Sequence, residues 1–369
     1  MEIRIPSGLR DLAGSEALIR KNAENILLET FEKWGYELSL SPAIEYYQTY
    51  NKAFDNLEDR EMYKFFDENG DILTLRMDMT VPIVRMACAH AIDLPARYCY
   101  SGSVWKARKP FAGKRSEVTD CGVELLGLDE DGDLEILILA IESLKALGLE
   151  NFSLEIGDAR FFLRTARKYL NSEEETAILA DLIDRKSMVD LEAFLNSLDL
   201  EEKVRLFFLE LPWLCGGDES LARAIQIAPD EEMLEVLMSI LWLKESLQAL
   251  GLDQYISFDL SRIPHVNYYT SLIFQAFIPG VGSAILSGGR YDTLTEKFGL
   301  QANARGFSIK LDTLLDLLPK PKAKKKILVH YPADQSLQAN ALALQLRREN
   351  TVVLMPDGPE TITLEELWD

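Results

Sequence analysis

Leu18, Ile19, Ala23, Ile26, Leu27 and Phe31 recur at intervals of three and four. That spacing predicts a long helix from about Ser15 to Trp34, stopped by Gly35. An extended segment, Tyr36 to Leu40, leads to Pro42. Tyr63–Phe66 and Ile72–Arg76 read as two strands joined through Asp67-Glu-Asn-Gly-Asp71, with Asn69-Gly70 supplying the positive φ angles of a tight hairpin. Val81-Pro82 suits the first turn of a helix after Thr80. Two extended stretches flank residues 97–125, and Asp133 is placed to cap a nearly unbroken apolar helix that closes at Gly148.

Residues 171–250 read as helical throughout and acidic. Pro229-Asp-Glu-Glu opens the last helix with acids at its positive dipole end, and Gly251 ends it. Strand-type sequence returns at Tyr268–Phe277, Ala284–Leu286 and Gly288–Asp292, before a final helix near Lys310. The expected organisation is a core of residues 1–170 and 251–319 interrupted by a helical insertion, 171–250. Residues 320–369 then form a linker, Lys320-Pro-Lys-Ala-Lys-Lys-Lys326, and a small strand–helix–strand unit. A unit of about 43 residues is short for a core of its own.

Composition narrows the function. The 369 residues are 47% hydrophobic, enough for a large buried core and against wholesale disorder. No apolar run reaches the roughly 18 residues needed to span a bilayer. Met1-Glu-Ile-Arg-Ile-Pro puts charge where a secretory signal needs apolar residues, so a cytoplasmic protein is expected. Sixty acids against 39 bases give a net charge of −21, unfavourable for contact with a phosphate backbone. Four cysteines without C-x-x-C spacing and three histidines argue against zinc or a disulfide framework.

The usual catalytic signatures, a phosphate loop, H-E-x-x-H and G-x-S-x-G, do not occur. Gly280, Gly282, Gly288 and Gly289 read as hairpin turns rather than a dinucleotide fingerprint. His90 and His330 suit structural roles; His265 adjoins a segment of interest. Between Asp93 and Glu117 there is no acid, yet Arg97, Lys106, Arg108, Lys109, Lys114 and Arg115 fall there. This run is open to three readings: a solvated loop, an anion site or a docking surface for an acidic partner.

Five stretches in order resemble the class II aminoacyl-tRNA synthetase core in its histidyl form. They are Pro6-Ser-Gly-Leu-Arg-Asp11, Phe31-Glu-Lys-Trp-Gly-Tyr36 leading to Pro42 and Glu45, Leu75-Arg-Met-Asp-Met-Thr80, Tyr100 to Gly127, and Gly288-Gly-Arg-Tyr-Asp292 through Gly306-Phe-Ser-Ile-Lys-Leu-Asp312. The resemblance covers roughly residues 1–165 and 255–318. It implies an α+β fold, an antiparallel sheet flanked by helices, and a dimer formed through the second stretch (motif 1). It departs where that family grips ATP: Lys106 and Arg108 stand where motif 2 carries an Arg and a Glu. Thr313 replaces the closing Arg of motif 3, Lys310 a neighbouring Gly, and Pro264 a histidyl-specific Arg, with Arg262 two residues earlier.

The resemblance also implies an amino-acid pocket. Asp78 and Thr80 would receive an α-ammonium, Asp120 stands for a family Gln, and Glu124 with Tyr268 and Tyr269 would hold an imidazole ring. Read singly, Asp78 serves as well as a helix cap, Glu124 as an ion-pair partner and the tyrosines as core. A histidyl-type core without its phosphate grip resembles the regulatory subunits of ATP phosphoribosyltransferase. That implies a non-catalytic subunit partnered with a short-form catalytic subunit and sensitive to histidine. No cofactor, metal, tRNA or membrane is implied. The alternative is an active amino-acid-activating ligase using Lys106 and Arg108 together.

Overall fold

The computed structural model describes residues 5–54, 61–90, 92–108, 115–263, 269–320, 325–357 and 360–368. Two compact units divide the chain, Met1–Leu318 and Pro319–Asp369. In the first, helix α1 (Gly14–Lys33) buries Ile19, Ala23, Leu27 and Phe31, a strict four-residue stripe. Leu18, expected on that face, is 60% exposed instead. Each large side chain so buried contributes about 1.5–3 kcal/mol. Strand β1 (Glu37–Leu38) follows, then β2 (Ile44–Tyr46), α2 (Tyr47–Ala53) and the hairpin β3 (Lys64–Phe66) and β4 (Ile72–Leu75). The hairpin loop has positive φ at Gly70 only. The Asp67 carboxylate accepts from the Asn69 and Asp71 amides at 2.9 Å, within the five-residue loop Asp67–Asp71 that the sequence predicts.

Helix α3 (Thr80–Ala89) precedes the long antiparallel pair β5 (Ala96–Trp105) and β6 (Glu117–Leu126). Helix α4 (Asp131–Ala146) starts two residues before Asp133, which therefore is not its cap. The Asp133 Oδ1 instead lies 2.8 Å from Nε of the fully buried Arg305. Next come β7 (Ser153–Asp158) and α5 (Ala159–Tyr169). The block expected to be wholly helical holds α6 (Glu173–Asp184), α7 (Met188–Ser197), α8 (Glu202–Glu210), α9 (Asp218–Ile227) and α10 (Glu231–Ala249). It also donates a short strand, β8 (Cys215–Gly216), to the main sheet. It sets Cys215 opposite Asp259 and Gly216 opposite Phe258 at that sheet edge, which periodicity cannot reveal.

The chain returns through β9 (Ile256–Asp259), β10 (Leu272–Phe277), β11 (Leu286–Arg290), α11 (Asp292–Lys297), β12 (Ala304–Lys310) and the short α12 (Leu311–Leu314). The sheet order is β1-β5-β6-β12-β11-β10-β7-β9-β8. Strands from both sides of the insertion are thus interleaved, and most pairs are antiparallel. Gly288 and Gly289 lie inside β11 rather than in a turn. A Cβ at Gly288 would stand 2.6 Å from that of Phe307, so glycine is required by close approach. The main core joins α1, α4, the insertion and one sheet face.

The second unit holds one strand more than expected: β13 (Lys325–His330), α13 (Ser336–Leu346), β14 (Thr351–Met355) and β15 (Thr363–Trp368), in the order β14-β13-β15. Its small core, with Ile327, Val329, Ala339, Ala343 and Val352 buried, is its own. No helix among the described residues is long and apolar enough to cross a membrane.

Candidate functional site

Alternation along β6 sets the site. Cys121, Val123 and Leu125 enter the main core, so Asp120, Gly122 and Glu124 face the opposite side. Across the ladder, Lys310, Ser308 and Gly306 of β12 stand opposite these three. Above this floor lies a cavity of about 710 Å³. Its wall includes Asp78, Thr80, Tyr100, Lys106, Asp120 and Tyr269, together with Tyr291, Arg262 and Lys310. The insertion closes one side with Ile183, Asp184, Lys186 and Cys215.

The loop carrying Asp78 is pinned from two directions. The Met77 amide donates to the Tyr50 hydroxyl at 3.0 Å. Arg76 donates from Nε to the Ser103 carbonyl and from Nη1 to that of Ser41, each at 2.7 Å. Asp78 Oδ1 accepts from the Val81 amide at 2.9 Å, so the residue serves the start of α3 and also lines the cavity. Burial raises its pKa, opposed by the Val81 N–H and by Lys106.

Glu124 is 1% exposed and stands behind the cavity wall. Thr80 Oγ1 donates to its Oε1 at 2.7 Å, and the Tyr291 hydroxyl donates to Oε2. Burial pushes its pKa up to about 8, against the lowering pull of those two hydrogen bonds. The carboxyl therefore orders two wall residues, where the sequence suggested a direct ligand contact. A Cβ at position 306 would collide with this carboxylate and the Val123 carbonyl, which is why glycine stands there. Burial, with Glu124 and Asp78 nearby, raises the Tyr269 pKa. Tyr268 and His265 lie outside the described residues.

Asp120 keeps Oδ1 shut from solvent with no hydrogen bond among the described residues. Burial lifts its pKa to about 6, and Lys310 and Lys106 pull it down. Arg108 does not reach the cavity wall; it pairs with Glu61. Thr313 also falls outside, its hydroxyl donating to the Lys310 carbonyl at 2.7 Å. Arg262 does line the cavity, held between Glu155 and, at 2.9 Å, Asp259. The basic run disperses: Arg97 pairs with Glu135 at 2.7 Å and Arg115 with Asp312 at 3.1 Å, while Lys106 enters the cavity. Lys109 and Lys114 lie outside the described residues. Of the wall, Tyr291 and the insertion residues escaped the sequence reading. Tyr291 carried a signal in Gly288-Gly-Arg-Tyr-Asp292; the insertion residues carried none.

Residues 8–314 match the family model described as histidyl-tRNA synthetase. The chain is 34% identical over 360 residues to the ATP phosphoribosyltransferase regulatory subunit of Thermoanaerobacter sp. (strain X514), covering 96% of this chain and 94% of that one. It is 37% identical over 320 residues to the protein of that name from Clostridium acetobutylicum, covering 85% and 78%. The crystal structure of an ATP phosphoribosyltransferase regulatory subunit/histidyl-tRNA synthetase from Bacillus halodurans C superposes with a TM-score of 0.85 at 29% identity, covering 96% of this chain and 93% of that one. A histidyl-tRNA synthetase from Nostoc sp. PCC 7120 shares the fold, with a TM-score of 0.77 at 19% identity over 98% of this chain and 87% of that one. With this kinship running through nearly its whole length, the chain belongs to the family of ATP phosphoribosyltransferase regulatory subunits, built on the histidyl-tRNA synthetase fold.

Proposed function

We propose that this chain is a non-catalytic subunit that activates a short-form ATP phosphoribosyltransferase and conveys histidine feedback to it, in the first step of histidine biosynthesis. One observation carries the reading. The amino-acid side of the cavity is furnished with Asp78, Thr80, Asp120 and Tyr269, whereas the positions resembling an ATP grip hold Lys106, an Arg108 tied to Glu61, and a Thr313 whose hydroxyl donates to the Lys310 carbonyl. Activation of a carboxylate by ATP develops charge on phosphate oxygens, and planar guanidinium forks stabilise it in a way Lys and Thr do not match. Each lost donor costs about 3 kcal/mol of transition-state stabilisation. No tRNA, metal or cofactor enters this function.

Histidine would be held by Asp78, Thr80, Asp120 and the Tyr268/Tyr269 pair, with Glu124 holding Thr80 and Tyr291 in place. Feedback then equals the difference in histidine affinity between two quaternary states, typically about 1–3 kcal/mol. A cytoplasmic homodimer through α1 and β1 is part of the reading. The exposed Leu38, Leu40 and Tyr46 support it, being 56%, 79% and 53% accessible. Mixing this chain with a short-form phosphoribosyltransferase tests the proposal: restored, histidine-sensitive turnover is expected. Glu124→Ala is expected to relieve histidine inhibition while complex assembly, followed by sedimentation, persists. Histidine-dependent exchange of pyrophosphate into ATP by the chain alone would overturn it.

A further inference from the structure

We propose that His330 is a pH-sensitive clasp within the second unit: as an imidazolium it ties the end of β14 to β15 across β13, and it releases one of them on losing its proton. The inference is independent of what the main cavity binds. Ile327 and Val329 of β13 share the small core with Ala339 and Ala343 of α13. Alternation along the strand therefore turns Lys326, Leu328 and His330 to the other face of this sheet. There His330 Nδ1 lies 3.0 Å from Asp357 Oδ1, and Nε2 lies 3.1 Å from Glu365 Oε2. Asp357 follows the end of β14 by two residues, and Glu365 sits within β15. One ring thus bridges both neighbours of the central strand.

That geometry depends on a proton. An ionised carboxylate accepts hydrogen bonds and cannot donate, and a neutral imidazole carries a single N–H. A neutral ring between these two acids would set a lone pair against one of them; the imidazolium donates to both. The contact with Asp357 is the main cause raising the His330 pKa above its ordinary value, and Glu365 acts the same way. Among the other charged side chains of β13, β14, β15 and α13, Lys325 and Glu366 pair at 2.6 Å on the face toward α13. Lys326 shares the His330 face, and α13 itself bears no charge. A pKa raised in the fold means stability that is complete below the ordinary histidine value of 6.5 and is lost as pH climbs through the folded one. A strand held on so small a core is the kind of element that opens locally.

Titrating the imidazole ring protons of the full chain by NMR tests the clasp, the signal missing from His330→Gln being that of His330. Its pKa is expected above 6.5, and lower in both Asp357→Asn and Glu365→Gln. Hydrogen exchange, corrected for intrinsic rates, supplies the structural readout. Amide protection in β15 is expected to drop about twofold or more from pH 6 to pH 9 in wild type, and to stay level in His330→Gln. A His330 pKa at or below 6.5 overturns the proposal, as does one that neither carboxylate variant moves. A loss of β15 protection that persists unchanged in His330→Gln overturns it too. Asp357 and Glu365 are 58% and 55% exposed, so their amide variants disturb no packing; should His330→Gln not fold, the ring signal that both of them move identifies His330.

Discussion

Glu124 has an oxygen for Thr80 and another for Tyr291, and no solvent beside either. Its pKa of about 8 in the fold lies above the ordinary glutamate value, mainly because burial penalises the charged form. The native state thus holds a proton that the unfolded chain releases above the ordinary carboxyl range. Stability conferred by the neutral carboxyl is full below about pH 4.5 and is lost as pH rises toward about 8. Asp120, raised to about 6, acts in the same direction over a lower window. Thermal melts of wild type are expected to fall between pH 5 and 8 by more than those of Glu124→Gln, which cannot ionise; parallel curves would remove Glu124 as the cause. Gly306→Ala drives a methyl group into the same carboxylate. A loss of about 1–3 kcal/mol by denaturant titration is expected, together with weakened histidine binding. Asp78 shows how two readings of one residue can both hold: it receives the Val81 N–H and faces the cavity.

Helix α10 begins where its sequence says. Asp230 Oδ1 accepts the Met233 amide at 2.8 Å, and Oδ2 accepts from Tyr169 at 2.9 Å and from Lys168 at 2.5 Å. Asp230→Ala therefore removes a cap and ties to α5, an expected loss of about 1–2 kcal/mol in chemical denaturation. Asp133 failed the same local test. It sits in the first turn of α4 and its oxygen goes to Arg305, 172 positions on, which no capping rule contains. The hairpin shows a subtler miss. Asn-Gly announced the turn, but Asp67 captured two amides and moved the positive φ to Gly70 alone. Local chemistry thus located the element and its loop, and missed only the φ of Asn69. The glycines of β11 escaped for a related reason: their need comes from Phe307 and Tyr269 pressing on the strand, neither adjacent in sequence.

The molecule as a whole depends on strands that return after the insertion. Arg305 on β12 is fully buried and meets Asp133 on α4, joining the two halves of the sheet domain. Arg305→Met leaves Asp133 desolvated and short of its closest cation, so an unfolding free energy lower by about 3–5 kcal/mol is expected in urea titration. A near-neutral result would mean that Arg290, 3.7 Å from Asp133, suffices. The same return brings β12 beside β6 and places Lys310 against Asp120. The insertion in turn packs into the main core and lends β8 to the sheet and Lys186 to the cavity wall.

From its sequence alone, the chain declares long amphipathic helices, a hairpin, a helical block between two strand-rich stretches, and five ordered motifs. Each is written in spacing, caps or residue types within a few positions of one another. Family membership was therefore legible in the motifs, and so were Asp78, Thr80 and Asp120 as cavity residues. What the tertiary structure decided lies between distant positions: Glu124 behind the wall, Tyr291 upon it, Arg108 drawn away to Glu61 and the basic run scattered among separate acids. Burial and pairing between positions 38 to 197 residues apart set these roles, and neither property belongs to any short stretch of chain.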